Sequence, residues 1–120
     1  MRVRFTFVVV ATVVLATGSL GAHEDIRLDA SPRFAYEPST VNVEVVVEPD
    51  TANRAVDIVA DSENFYRSSR VELEGANAPR VTTISFRDLP AGDYDISAML
   101  YTDGGHQRAI AHRSVTVMER

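Results

Sequence analysis

Between Val81 and Tyr101 the chain reads VTTISFRDLPAGDYDISAMLY, two alternating runs joined by a corner. Thr82, Ile84 and Phe86 alternate with Thr83, Ser85 and Arg87, and beyond the break Tyr94, Ile96, Ala98 and Leu100 resume the pattern. Successive side chains of a strand point to opposite faces, so a period of two predicts strands with one buried side; a helix would repeat its apolar residues every three or four positions. The break, Leu89-Pro90-Ala91-Gly92, has corner chemistry. Proline presets φ and offers no N–H to a ladder, and Gly92 is read as the residue that takes positive φ. Tyr94, two positions beyond Gly92, is placed to bury its ring and return its hydroxyl to backbone near the corner. Two strands alone cannot cover their apolar sides, so the rest of the chain must supply a packed partner layer.

It does so with more strands. Glu24–Ser31 alternates Ile26, Leu28 and Ala30 against Arg27, Asp29 and Ser31, and Pro32 ends that run. Residues 33–40 read as irregular, with Phe34 and Tyr36 as expected anchors in the core and Pro38 as a breaker. Val41, Val43, Val45 and Val47 then share one face, a β-branched row suited to a pleated, half-buried surface. Residues 49–53 (PDTAN) form a loop by composition; Arg54–Asp61 puts Val56, Ile58 and Ala60 inward and Ala55, Asp57 and Val59 outward. Ser62–Ser69 reads as irregular, Arg70–Glu74 as a short strand with Val71 and Leu73 inward, and residues 75–79 (GANAP) as a turn. Asp103-Gly104-Gly105 signals a tight hairpin. In Gln107–Val117, Ala109, Ala111, Val115 and Val117 have one parity and Ile110 and His112 the other, which a bulge near Arg113 would reconcile. The expectation is seven strands, no helix and two packed antiparallel sheets.

The first 22 residues follow the grammar of a secretory signal peptide. Arg2 and Arg4 make a basic start, Phe5–Leu20 is mostly apolar, and small residues follow at Gly21 and Ala22. Cleavage after Ala22 leaves His23 as the new amino terminus; cleavage after Gly21 places Ser19 rather than Leu20 three positions before the cut. The expected organisation is therefore a signal peptide over 1–22 and one domain over 23–120, exported to the periplasm or beyond. All 12 cations are Arg, and losing Arg2 and Arg4 leaves 10 against 17 carboxylates, a formal −7. An acidic chain is a poor ligand for nucleic acid or anionic lipid. There is no Cys, so the exported fold stands without a covalent staple.

The corner Leu89-Pro90-x-Gly92-x-Tyr94 between two strands resembles the E–F corner of immunoglobulin-like and fibronectin-type-III-like sandwiches. Short corners of this kind are also similar to those of prealbumin-like regulatory domains of exported bacterial proteins. The resemblance implies an all-β, two-sheet antiparallel sandwich. With no Cys pair and no Trp in the chain, it singles out no family.

Three sets of residues are candidates for function. Asn64-Phe65-Tyr66-Arg67 concentrates two aromatics and an arginine, residue types enriched in binding hot spots, at one end of the expected sandwich. The alternative use of the same residues is structural, with one ring covering the open end of the core and Arg67 pairing with a carboxylate. His23, if it becomes the amino terminus, joins an α-amine to an imidazole; with His112 or His106 it would resemble the nitrogen site of periplasmic CopC-like copper carriers and, more remotely, of lytic polysaccharide monooxygenases. Asp50, Asp57, Asp61 and Glu63 match no calcium-loop spacing and read as a solvated acidic face. No nucleophile elbow, HExxH motif or phosphate loop is present. The chain is thus expected to be a non-enzymatic interaction or accessory module without a resident cofactor, contacting another protein or cell-surface component through a sheet edge or the Ser62–Ser69 end. A small copper carrier is the alternative.

Overall fold

The computed structural model describes residues 25–120, so the signal-peptide expectation and His23 lie outside the described residues. Eight strands follow one another: β1 (Ile26–Ser31), β2 (Phe34–Tyr36), β3 (Ser39–Val47), β4 (Asn53–Asp61), β5 (Tyr66–Glu72), β6 (Val81–Leu89), β7 (Gly92–Thr102) and β8 (Gln107–Met118). The only helical elements among the described residues are 3-10 turns at Gly75–Asn77 and Asp103–Gly105. The strands form a three-stranded sheet, β1-β3-β6, and a five-stranded sheet, β2-β8-β7-β4-β5. All neighbours are antiparallel except β2, which runs parallel to β8. The fold is therefore an immunoglobulin-like sandwich. Constant-type immunoglobulin domains place four strands in one sheet and three in the other. Here the strand after β4 stays hydrogen-bonded to β4, which makes the division three and five.

The period-two rows create this core. Val41, Val43, Val45 and Val47 of β3 face Tyr94, Ile96, Ala98 and Leu100 of β7, each strand lying inside its own sheet. Leu28 from β1, Ile58 from β4 and Val115 from β8 complete the contact. Burying such side chains contributes roughly 1.5–3 kcal/mol each, which carries a fold that has no Cys. Among the described residues, no buried side-chain nitrogen or oxygen lacks a hydrogen-bond partner.

Several elements differ from the sequence expectation. Phe34 and Tyr36 are not core anchors: they sit in β2, 71% and 58% exposed. The first sheet loses the chain at Pro32, which has no N–H to continue the β1 ladder, and the chain crosses to β8, where both rings fall on the outer face. The fifth strand begins at Tyr66 rather than Arg70, and Leu73 is buried just beyond its end. In β6 only Phe86 and Leu89 are buried, because this strand is an edge and Thr82 and Ile84 are left partly open. Asn53, expected in a loop, starts β4; its buried amide donates to the Glu48 carbonyl at 3.0 Å. Val59 is buried on the outer side of β4.

Two irregularities sit elsewhere than expected. The β8 bulge is at Arg108, where Leu100 pairs with Ala109 and Tyr101 with Gln107. Ala109, Ala111, Arg113, Val115 and Val117 then share one parity with no break at Arg113, and Ile110 turns outward. At the corner, Gly92 has an ordinary φ. The left-handed residue is Asp88 (φ 56°), inside the bulge where β6 slips against Ser39 and Val41; Asp is among the residues that tolerate this region.

Candidate functional site

Strand register assembles the outer face of the five-stranded sheet row by row. Tyr66, Asp61, Asp95 and Ser114 lie side by side across β5, β4, β7 and β8, followed by Ser68, Val59, Ser97 and His112, then by Arg70, Asp57, Met99 and Ile110. On the other side of the first row, Asp93, Thr116 and Phe34 line up, with Tyr36 beside Met118. Their side chains share one side of the pleat because antiparallel partners, and the parallel partners of β2 and β8, point the same way.

Three pairs of polar side chains on this face are committed to one another. Arg70 makes a bidentate pair with Asp57 at 2.7 and 2.9 Å, and its guanidinium lies over the Tyr101 ring, 5.5 Å from the centroid. The hydrogen bond to Asp57 raises the Arg70 pKa further above its ordinary value. His112 Nδ1 lies 3.1 Å from both carboxylate oxygens of Asp95, and Thr116 donates to Asp93 at 3.2 Å. The large apolar side chains Phe34, Tyr36, Tyr66, Ile110 and Met118 are instead left to solvent.

The four residues Asn64 to Arg67 do not form one patch. Ser62 closes a tight turn onto Phe65, its N–H donating to the Phe65 carbonyl at 2.8 Å. Phe65 turns toward the core and meets Tyr94 edge-on, ring centroids 6.2 Å apart. Arg67 lies over Phe65, 5.0 Å from the ring centre, and donates to the Arg87 carbonyl at 2.6 Å, tying the edges of the two sheets together. Its partner is thus a backbone carbonyl and not a carboxylate. Asn64 is exposed, and Tyr66 points out on the opposite side of the strand. Phe65→Ala is accordingly expected to lower stability by about 2 kcal/mol, below the range for fully buried aromatics, and Tyr66→Ala by less than about 0.5 kcal/mol. Urea unfolding of the two variants checks this; equal effects would contradict the division of labour.

At the corner, Leu89 is fully buried, and the Tyr94 hydroxyl donates to the Pro90 carbonyl at 2.6 Å. A Cβ on Gly92 would lie 3.4 Å from the Ser62 side chain, an ordinary van der Waals contact, so the corner leaves room for a small side chain there. Burial raises the Tyr94 pKa, partly opposed by Ser62 and by the Arg67 charge.

The histidines do not converge. His112 lies mid-strand on the outer face and His106 beside the β7–β8 hairpin tip; six residues of extended chain separate them by ~20 Å. Among the described residues, no group of three or more His, Asp or Glu is placed to hold a metal ion. The carboxylates read as a solvated face are dispersed in the same way. Asp57 pairs with Arg70, and Asp50 accepts from the Ala52 N–H at 2.8 Å and faces Arg108 at 3.0 Å. The Ala52 N–H, then Arg108, hold the Asp50 pKa below its ordinary value. The bulge at Arg108 was not legible in sequence, yet it aims that guanidinium at Asp50 and Asp25 together. None of the described helical elements is long and apolar enough to cross a membrane.

No protein-family model matches the chain, and no curated protein does. Similar solved structures include a superoxide reductase (neelaredoxin) from Ignicoccus hospitalis, with TM-score 0.63 and 18% identity over 79% of this chain and 80% of that one. The sulfur carrier protein SoxY from Chlorobium limicola f thiosulfatophilum is similar at TM-score 0.61 and 16% identity, covering 85% of this chain and 87% of that one. Fibronectin(III)-like modules of Clostridium thermocellum CbhA are similar at TM-score 0.55 and 16% identity, covering 78% of this chain and 97% of that one. At these identities the shared property is the fold. An enzyme, a carrier and a module all use it, so the sandwich does not by itself select an activity.

Proposed function

We propose that the chain is an exported, non-enzymatic immunoglobulin-like module that binds another protein or a cell-surface component through the outer face of its five-stranded sheet. The observation that carries this reading is the distribution of exposed apolar side chains. Of the six large ones among the described residues, Phe34, Tyr36, Tyr66, Ile110 and Met118 belong to that face, and Val81 lies on the other sheet. Scattered exposed hydrophobics are ordinary, but five on one face, three of them aromatic, have the composition of a recognition surface. Export is supported by the basic start, apolar run and small residues of the first 22 positions. The likeness to fibronectin(III)-like modules fits an accessory role.

The test places a photo-crosslinking amino acid at Tyr36, at Tyr66 and, on the outer face of the three-stranded sheet, at Glu44. Full-length protein is produced in intact cells. Adducts of one defined mass from Tyr36 and Tyr66, with none from Glu44, are expected, together with a purified chain lacking its first 21 or 22 residues by mass spectrometry. Adducts from Glu44 alone, adducts from none of the three, or a chain retaining Met1 would overturn the reading.

A further inference from the structure

We infer that β6 pairs with β6 of a second copy of this chain, antiparallel across a two-fold axis at Thr83, joining two three-stranded sheets into one of six strands. This surface is separate from the five-stranded face, and the inference does not rest on the binding role proposed for that face.

Backbone geometry identifies the open groups. Val47 N–H donates to the Arg80 carbonyl at 2.8 Å, and Val45, Val43 and Val41 lie opposite Thr82, Ile84 and Phe86. Hydrogen-bonded pairs alternate along an antiparallel ladder. The backbones of Thr82, Ile84 and Phe86 therefore point at β3, while those of Val81, Thr83 and Ser85 point away from the sheet at its edge. The next group in that outward series, the Arg87 carbonyl, is already taken by Arg67 at 2.6 Å. What remains is a short template centred on Thr83.

The side chains argue for a second copy as occupant. Residues 81–86 (VTTISF) contain no charge, proline or glycine. The other long edges carry charge: Arg27 and Asp29 on β1, Arg67 and Arg70 on β5, Arg108 and Arg113 on the open part of β8; the three-residue β2 edge is uncharged but short, and is flanked by Arg33 and Glu37. Natural edges are normally guarded by such charges. The exported chain, formally −7, repels its own copies, so self-association is least opposed at a strip where no like charges meet. The two-fold at Thr83 sets Val81 against Ser85 of the second copy, Thr82 against Ile84, and Thr83 against Thr83. These pairs are neutral, and the β-branched ones favour cross-strand contact. Val81, 49% exposed, and the half-open Ile84 become covered. The alternative centre at Ile84 would require the Arg87 carbonyl, which Arg67 holds.

One strand pair buries little area, so the association is weak and concentration-dependent. Sedimentation equilibrium of the purified exported protein, from about 10 µM to about 1 mM, is expected to show a monomer–dimer equilibrium in the range typical of small interfaces. Amide exchange at Val81, Thr83 and Ser85 should slow with concentration, while that at Ser68 and Arg70 on the β5 edge should not. Thr83→Lys sets two cations face to face across the axis; since Thr83 is exposed the monomer stays folded, and dimerisation should weaken at least tenfold. Ser68→Lys should leave it unchanged. A protein that stays monomeric throughout, a dimer indifferent to Thr83→Lys, or edge amides protected only when a different protein is added would each overturn the proposal.

Discussion

Val45→Asp protein is expected not to fold. Val45 is fully buried at the centre of β3, opposite Leu28 on one side and Thr82 on the other, and faces the five-stranded sheet. A carboxylate there has two options, neither favourable. Ionised, it is a buried charge without a partner. Protonated, it keeps an unsatisfied polar group and forfeits the valine's apolar contacts. Either route costs at least about 4 kcal/mol, against a total stability of about 5–15 kcal/mol for ordinary domains. Loss of the cooperative urea transition and of amide dispersion by NMR is the expected readout. Val45→Ala removes contacts without adding a polar group and should cost about 2 kcal/mol. Val46→Asp, one residue along on the solvent side, should cost less than about 1 kcal/mol. Soluble Val45→Asp protein with a dispersed spectrum would mean that the valine row does not line the core.

The second large effect is at Tyr94. Its ring is buried between the sheets and meets Phe65, and its hydroxyl holds the Pro90 carbonyl. Tyr94→Ala opens a cavity and should cost about 3–5 kcal/mol. Tyr94→Phe keeps the ring and isolates the hydroxyl, with an expected loss of about 1 kcal/mol. A pH signature reports the burial of the hydroxyl. Burial raises the Tyr94 pKa in the folded state, so the native protein keeps this proton at pH values where the unfolded chain has released it. The resulting stability is fully present below the unfolded value, about 10, and is lost as pH rises through the higher folded value. Wild-type protein should therefore lose stability above about pH 10 more steeply than Tyr94→Phe, in which this group cannot ionise. Parallel curves for the two proteins, or Tyr94→Phe as stable as wild type at neutral pH, would contradict the buried corner.

The rows of period two were legible because strand geometry is local: Val41 to Val47 and Tyr94 to Leu100 declare their buried side whatever their neighbours are. The corner was legible too, except for the assignment of positive φ. Gly92 is the residue able to adopt it, but the bulge against β3 falls at Asp88. Phe34 and Tyr36 show a deeper limit. Their hydrophobicity is a property of the residues, but their exposure follows from β2 changing sheets and adding to β8 with its rings on the outer face. Phe65 and Tyr66 are similar in composition and adjacent in sequence, yet one seals the core and the other faces solvent. Alternation guarantees that they differ; only the packing of β5 beside β4 says which is which.

The residues by themselves determined that this is an all-β chain with a core of alternating aliphatic rows, because side-chain direction along a strand depends on nothing beyond the strand. Tertiary structure decided which strands became edges, where the bulges fell and which apolar side chains stayed in water. Those outcomes depend on long-range pairing, in which a shift of one residue exchanges the two faces of a strand. Both proposed interaction surfaces, the outer face with its exposed apolar side chains and the uncharged 81–86 stretch of β6, arise from that pairing and not from any motif.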